Sequence, residues 1–166
     1  MATVLFLCTG NAARSVIAGV ALTGRRPDLT VRTAGTLSVD GLPISRRTRH
    51  ALESVGLPPP RHASRQAEEV DLRHADVVVG MAPEHVRWVR RNHPAVSGRT
   101  ATLRRLVDLL KPATEPLALR LQRLDLAAAD LADWEEIVDP GGGEEDAFVR
   151  CAHEIVPLVD RLARLL

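Results

Sequence analysis

A cysteine and an arginine six positions apart, Cys8 and Arg14, carry the clearest chemical signal in this sequence. Cys8 ends a short apolar run, and the five residues that follow it, TGNAA, are turn formers or small residues. Because apolar residues recur at helical spacing after Ser15, the loop is predicted to join a buried strand to a helix. Backbone N–H groups at such a junction point into one cup, which suits a phosphate dianion.

The residue types at the two ends of the loop suit phosphoryl transfer. A helix N-terminus and a nearby guanidinium favour the thiolate form of Cys8, which is the nucleophilic form. The planar fork of Arg14 can hold two phosphate oxygens, and Ser15 can donate a further hydrogen bond. A lone cysteine is more often a plain buried residue, but the position between strand and helix favours a nucleophile here.

The elements that must position these residues follow from the hydrophobic pattern. Strands are predicted at residues 3–7, 29–33 and 75–81, with helices between them. Such alternation favours an α/β domain with a parallel sheet joined by right-handed crossovers. Ligands of such domains bind beyond the carboxyl ends of the strands, which is where the loop after Cys8 lies.

The second half of the chain is predicted to be mostly helical. A connection interrupted by prolines at residues 111–116 precedes a predicted helix through Leu126 and Trp134. A last helix is predicted from about Glu144 to the end, and Pro157 is expected to kink or restart it. The predicted buried face of this last helix comprises Phe148, Cys151, Ile155, Val159 and Leu162.

Size and composition restrict the class of protein. A chain of 166 residues with 45% hydrophobic and 26% charged residues is predicted to be a single globular domain, residues 1–166. The net charge of +1 argues against nucleic acid or a membrane surface as the main partner. No apolar run approaches the length of a membrane span and no basic leader is present, so a cytoplasmic protein is predicted. Two cysteines form neither a disulfide framework nor a zinc motif, and no metal or cofactor is predicted.

Residues 4–15, VLFLCTGNAARS, resemble the N-terminal signature of the low molecular weight protein tyrosine phosphatases, whose arsenate reductase relatives share the fold. The similarity continues through residues 33–36, 76–81 and 137–140 and leaves only about residues 112–133 unmatched. The resemblance implies a three-layer α/β sandwich with a central four-stranded parallel sheet. Helices would cover both faces, and the phosphate-binding loop would follow strand 1.

This resemblance implies a metal-independent phosphomonoester hydrolase, expected to be a protein tyrosine phosphatase that works through a phosphocysteine intermediate. Cys8 would be the nucleophile, Arg14 the phosphate ligand and Asp139 the general acid, although an Asp-Pro-Gly segment taken alone is more often a plain turn. The substrate would be a phosphorylated protein or a small phosphomonoester, and the chain a monomer or weak dimer. The expected phosphate-binding residues are Thr9, Gly10, Asn11, Ala12, Ala13, Arg14 and Ser15, with Asn11 and Ser15 shaping the loop and stabilising the thiolate.

The sequence departs from the family pattern close to the predicted site. Ala13 stands where the family usually has a second loop cysteine, so the protective disulfide of some relatives cannot form. Gly141-Gly142 replaces an aromatic pair, and the chain has no tyrosine, so the usual aromatic wall for a phosphotyrosine ring is missing. The leaving-group pocket is therefore expected to be formed by Ala12, residues 37–42 and the glycine-rich segment after Asp139.

Three other functions are considered. Arsenate reduction needs a resolving thiol, but no cysteine stands in the segment directly after the strand at residues 77–81. Cys151 is expected to be buried on a helix far from the loop, so only an external thiol would serve. Protein arginine phosphatase activity is the second, and relatives with that preference carry threonine at the position of Ala12. The third is a catalytically weak phosphate- or phosphoprotein-binding protein, against which the presence of both Cys8 and Asp139 argues.

Four conspicuous side chains are interpreted as structural. Trp88 lies on a predicted helix and Trp134 precedes the predicted acid, and both are predicted to be packing residues. His62 follows a run of prolines and His153 lies on the last helix, so neither is predicted to be catalytic.

Overall fold

Four parallel strands form the centre of the computed structural model, which describes residues 1–166. The strands run in the spatial order β2-β1-β3-β4, so the first strand of the chain lies inside the sheet. All three pairings are parallel, and each connection must therefore cross a face of the sheet. The strands are β1 (Thr3–Cys8), β2 (Thr30–Gly35), β3 (Val77–Gly80) and β4 (Thr100–Thr102).

Helices cover both faces of this sheet. They are α1 (Arg14–Arg25), α2 (Arg46–Ser54), α3 (Glu69–His74), α4 (Pro83–Asn92), α5 (Leu103–Leu109), α6 (Leu117–Gln122) and α7 (Glu145–Leu165). Short 3₁₀ turns occupy Pro94–Arg99 and Asp133–Glu135.

The apolar run of β1 is continuous because both of its faces are buried. Val4 and Phe6 lie in a core cluster with residues of α1, α2, α5 and α7. Leu5 and Leu7 point to the opposite side and pack with residues of α3 and α4. Alternate side chains of one strand thus fill two cores, as expected for a parallel sheet between two helical layers. The predicted fold class is confirmed.

The fourth strand of the expected four-stranded sheet, β4, has only three residues and gives no recognisable apolar pattern in the sequence. Two predictions for the segment after it are wrong, namely a helix through Leu126 and Trp134 and the packing of Trp134 in the core. The predicted helix through Leu126 and Trp134 does not form; α6 ends at Gln122 and a left-handed residue, Asp125 with φ 47°, follows it. Trp134 is 53% exposed rather than packed in the core.

The last helix, α7, is confirmed, and all five residues of its predicted apolar face are buried. Pro157 neither ends nor restarts it. Pro157 is exposed, and the apolar face of α7 packs against α1 and α2, so tertiary contacts support the helix across the proline. None of the helices combines the length and the apolar character needed to cross a membrane.

Candidate active site

The sulfur of Cys8 lies at the end of β1, directly before the loop of residues 9–13 that leads into α1. Cys8 Sγ is 3.0 Å from Ser15 Oγ, and Ser15 Oγ accepts a hydrogen bond of 3.0 Å from Asn11 Nδ2. Since Ser15 receives that bond, its own O–H is free to donate to the sulfur. A hydroxyl aimed at the sulfur stabilises a thiolate more than a thiol.

The backbone amides of the loop are free to bind an anion. None of the N–H groups of residues 9–15 donates to an acceptor within the protein. Asn11 has φ 51°, a left-handed conformation that turns successive amides toward the same side. The unpaired N–H groups of the first turn of α1 add to them, so the loop and the helix N-terminus together form an anion-binding cup.

The carbonyl groups of the loop are held from outside. They accept hydrogen bonds from three side chains: Ser38 Oγ to Gly10 O at 2.9 Å, His62 Nε2 to Asn11 O at 2.8 Å, and Thr48 Oγ1 to Ala12 O at 3.0 Å. Gly35 allows this close packing, because a Cβ there would lie 2.5 Å from the carbonyl oxygen of Thr9. The loop is thus held in one conformation before any ligand binds.

His62 and His153, both interpreted as structural from the sequence, lie in different environments. His62 supports the loop through its bond to the Asn11 carbonyl, a contact that the sequence did not indicate. His153 is exposed on α7.

Arg14 and Asp139 meet at the mouth of the cup. Arg14 is buried with 2% exposure, and its Nη1 donates to the carbonyl oxygen of Ile137 at 2.9 Å. Its Nη2 lies 3.1 Å from Asp139 Oδ2, while Asp139 Oδ1 accepts from the Gly141 N–H at 3.0 Å. The structure therefore brings together the three predicted catalytic side chains, with the Asp139 carboxylate paired to the Arg14 guanidinium.

The segment that carries Asp139 is fixed to the end of β3. The Ile137 N–H donates to the carbonyl oxygen of Met81 at 2.9 Å. Two residues earlier, the fully buried carboxylate of Glu135 accepts from Arg105 Nε at 2.7 Å and from Thr102 Oγ1 at 2.8 Å. Burial alone would raise the pKa of Glu135, but the hydrogen bonds from Arg105, the Ala132 N–H and Thr102 together lower it. Residues 137–143 are called the acid loop below.

A buried histidine that the sequence interpretation missed also contacts the loop. His85 is 1% exposed, and its Nε2 lies 3.0 Å from Thr9 Oγ1. Its Nδ1 accepts from the Ala82 N–H at 3.0 Å. Burial and then the charge of Arg14 lower the pKa of His85 to about 3, so the ring is neutral. The available signal was its position, in the first turn of the helix that follows a buried strand.

The mouth of the cup is apolar and open. Leu37 is 80% exposed, although its N–H is anchored 3.0 Å from the Thr9 carbonyl oxygen. Val138 is 67% exposed directly before Asp139, and Ala12 is exposed within the cup. Trp134 stacks 5.8 Å from the Arg105 guanidinium and Trp88 packs against the core of α3 and α4, so neither replaces the missing aromatic wall.

The second cysteine is buried as predicted, but it is not far from the loop. Cys151 is 4% exposed on α7 and belongs to the same core cluster as Cys8, because α7 packs directly against α1. Burial raises the pKa of its thiol to about 12, and the nearby charges of Asp139 and Cys8 act in the same direction against that of Arg14. Both cysteines are free.

The assembled groups suit nucleophilic phosphoryl transfer. A thiol, a guanidinium and a carboxylate converge on a cup of unpaired amides at the carboxyl end of the sheet. No group of three or more His, Cys, Asp or Glu side chains is arranged to hold a metal ion.

Comparison with known proteins agrees with this geometry. A protein-arginine-phosphatase of Geobacillus stearothermophilus is 26% identical over 164 residues, which cover 98% of this chain and 95% of that protein. The low molecular weight protein-tyrosine-phosphatase PtpB of Staphylococcus epidermidis is 24% identical over 159 residues, covering 96% and 95% of the two chains. The solved structure of a low molecular weight protein tyrosine phosphatase from T. tengcongensis superimposes with a TM-score of 0.79 at 24% identity and covers 100% of both chains.

The family assignment rests on the first two thirds of the sequence together with the whole-chain relatives. Residues 3–116 match the family model described as low molecular weight phosphotyrosine protein phosphatase. This range contains the complete loop from Cys8 to Ser15, all four strands and the helices α1 to α5, whereas the acid loop lies beyond it. The chain therefore belongs to the low molecular weight phosphotyrosine protein phosphatase family and is a hydrolase of that type.

Proposed function

We propose that this chain removes phosphate from phosphotyrosine in proteins, with Cys8 as nucleophile, Arg14 as phosphate ligand and Asp139 as general acid. The amides of residues 9–15 are proposed to bind the phosphate oxygens. One observation carries the proposal: the sulfur of Cys8 faces a hydroxyl donor at 3.0 Å beneath a loop whose N–H groups have no acceptor in the protein. A thiolate and a phosphoryl group are the two partners that this arrangement stabilises.

In the first step, the sulfur of Cys8 attacks phosphorus, the S–P bond forms and the bond to the leaving oxygen breaks. Asp139 donates a proton to that oxygen, because a phenoxide is a poor leaving group. In the second step, the Asp139 carboxylate takes a proton from water, which attacks phosphorus and releases inorganic phosphate and the Cys8 thiolate. Two moderate barriers replace one high barrier.

The resting ion pair between Arg14 and Asp139 must open for this cycle. A bound phosphate dianion offers Arg14 a stronger, bidentate partner than a carboxylate that is 53% exposed. Asp139, which is exposed, is then free to take up a proton from solvent and to turn toward the leaving oxygen, to which it donates that proton. Gly141 leaves space beside this carboxylate, since a Cβ at Gly141 would lie 3.1 Å from Asp139 Oδ1.

The apolar mouth favours an aromatic leaving group. Leu37, anchored to the loop at Thr9, and Val138, next to Asp139, expose apolar side chains, and the exposed Ala12 side chain in the loop offers no hydrogen bond. Such a surface can contact the faces of a phenyl ring, in place of the aromatic wall that the family pattern would provide. The named relatives include both tyrosine and arginine phosphatases, so the two phosphoresidues must be compared directly.

The deciding experiment is a turnover assay in chelator without added metal. Paired peptides of one sequence would carry phosphotyrosine or phosphoarginine, beside nitrophenyl phosphate and arsenate with thiol donors. We expect hydrolysis of nitrophenyl phosphate and a higher kcat/KM for the phosphotyrosine peptide. A preference for phosphoarginine would contradict the proposed substrate. Arsenate reduction that depends on thiol would contradict the proposed reaction. Binding without turnover would contradict the assignment as an active enzyme.

Three further features belong to this proposal. The chain is proposed to fold as a single domain of residues 1–166, since two core clusters on opposite faces share one sheet. It is proposed to act as a monomer or weak dimer in the cytoplasm, where reducing conditions keep the free thiol of Cys8 competent. Coincident unfolding transitions test the single domain, gel filtration tests the oligomeric state and cell fractionation tests the location.

A further inference from the structure

The buried imidazole of His85 has no part in the proposed reaction, yet it touches the phosphate-binding loop. Its Nδ1 accepts from the Ala82 N–H at 3.0 Å, so the single ring proton of the neutral form sits on Nε2. That N–H faces Thr9 Oγ1 at 3.0 Å. The Ala82 N–H at the start of α4 thus fixes the tautomer of the ring, and the ring acts on the loop as a hydrogen-bond donor.

The donor determines how the hydroxyl of Thr9 is oriented. Thr9 Oγ1 accepts from His85 Nε2 and lies 3.4 Å from Arg14 Nη2, which also donates to it. The hydroxyl proton is directed to Glu84 Oε1, at 3.4 Å. Without the donor from His85, the hydroxyl proton could turn toward Arg14. The contact with Arg14 Nη2 would then be lost, because both groups would be donors.

This orientation matters when Asp139 leaves Arg14. Arg14 Nη2 is held by Asp139 at 3.1 Å and by Thr9 Oγ1 at 3.4 Å. Once Asp139 turns to the leaving oxygen, Thr9 is the one side chain of the protein that still accepts from Nη2. The guanidinium must remain aligned at that moment, because its fork has to match two phosphate oxygens.

We propose that His85 is a positioning residue that acts through the Thr9 hydroxyl to keep the Arg14 guanidinium aligned with the bound phosphate. The inference rests on the proposed function of Cys8 and Arg14. It assigns to His85 no contact with the substrate and no proton transfer.

Two substitutions of His85 separate positioning from folding. In His85→Asn, the amide oxygen can replace Nδ1 as acceptor for the Ala82 N–H, but the side chain is too short to reach Thr9. In His85→Gln, the amide nitrogen can reach the position of Nε2 and donate to Thr9, while the Ala82 N–H loses its acceptor. The first variant keeps the α4 contact and the second keeps the loop contact.

We expect opposite effects in the two variants. His85→Asn should lower kcat/KM for nitrophenyl phosphate and weaken inhibition by inorganic phosphate, each by about tenfold, with a melting temperature near that of the wild type. His85→Gln should melt at a lower temperature but keep kcat/KM and the phosphate inhibition constant within about threefold. Combined with Thr9→Val, His85→Asn should add little further loss, because both changes remove the same link.

The outcomes distinguish a failure of the positioning proposal for His85 from a failure of the proposed function. Wild-type phosphate inhibition in His85→Asn, or parallel losses of stability and activity in both variants, would refute positioning by His85. If neither variant folds, Thr9→Ser and Thr9→Val form the matched pair, and equal phosphate inhibition in these two would refute it as well. An inactive wild type, or an active Cys8→Ser, would instead refute the proposed function itself.

Discussion

At the scale of single residues, the candidate active site brings together a thiol, a guanidinium and a carboxylate, each of which is a common side-chain group. The sulfur of Cys8 has a serine hydroxyl beneath it, and Arg14 is a buried cation whose carboxylate partner, Asp139, is itself half exposed. A buried cation with an exposed and replaceable partner is well suited to accept a second anion.

The proposed role of Cys8 as nucleophile is tested by Cys8→Ser. This variant should keep binding phosphate or vanadate but lose turnover of nitrophenyl phosphate by orders of magnitude, because a serine hydroxyl at this position is not ionised. Calorimetric titration and steady-state kinetics measure the two properties. Cys151→Ala serves as the matched cysteine control and should keep its activity within a few fold. Turnover near the wild-type rate in Cys8→Ser would contradict the mechanism.

The proposed role of Asp139 as general acid is tested by Asp139→Asn. Hydrolysis should slow by about 10² or more for alkyl phosphates and much less for nitrophenyl phosphate, because a nitrophenolate needs little help from a proton. Asp133→Asn, at an exposed aspartate shortly before the acid loop, is the control and should change neither rate. Equal losses for both substrates in Asp139→Asn would remove Asp139 from this role.

At the scale of elements, the acid loop depends on a polar anchor rather than on a helix. The backbone at Ile137 is hydrogen-bonded to the end of β3, and Glu135 ties the preceding turn to Thr102 and to Arg105 of α5. A buried carboxylate with all these donors contributes to stability only while it is ionised.

Glu135→Gln should therefore destabilise the fold in a pH-dependent way. We expect a loss of about 1–3 kcal/mol in the free energy of unfolding at pH 7, since hydrogen bonds to a buried charge are weakened. The folded-state pKa of Glu135 lies below its ordinary value of 4.5, so this difference should be complete above that pH and shrink as the pH falls below it. Denaturant unfolding at pH 7 and pH 4 measures it, with the exposed Glu136→Gln as control. An equal loss at both pH values would contradict the assignment.

At the scale of the whole molecule, the packing of α7 against α1 places both cysteines in one core cluster. Proximity alone does not make Cys151 a resolving thiol. With its pKa raised to about 12, Cys151 stays protonated at neutral pH, and a protonated thiol does not attack a sulfenic acid.

Peroxide should consequently inactivate the enzyme by oxidising Cys8 past sulfenic acid, because Ala13 offers no neighbouring thiol. Phosphate should protect by occupying the cup. Mass spectrometry of the treated protein should show sulfinic or sulfonic acid on Cys8 and unmodified Cys151. An intramolecular disulfide between the two cysteines, with full recovery in dithiothreitol, would contradict this prediction and revive the reductase interpretation.

The local part of the site could be predicted from the sequence by itself. The apolar run of β1, the turn formers after Cys8 and the helical spacing after Ser15 each encode a backbone conformation through near neighbours. A strand, a loop and a helix in direct succession therefore indicated an anion-binding cup before any long-range contact was known. The apolar face of α7 was predictable for the same reason.

Only the tertiary structure decided which distant side chains reach that cup. The contacts of Asp139 with Arg14, of His62 with Asn11 and of His85 with Thr9 join segments that are far apart in the chain, so they depend on strand order and helix packing. The three-residue strand β4 and the turns after α6 carry too little periodicity to be recognised locally. The nearness of Cys151 to the site likewise follows from how α7 packs, which no spacing within the sequence encodes.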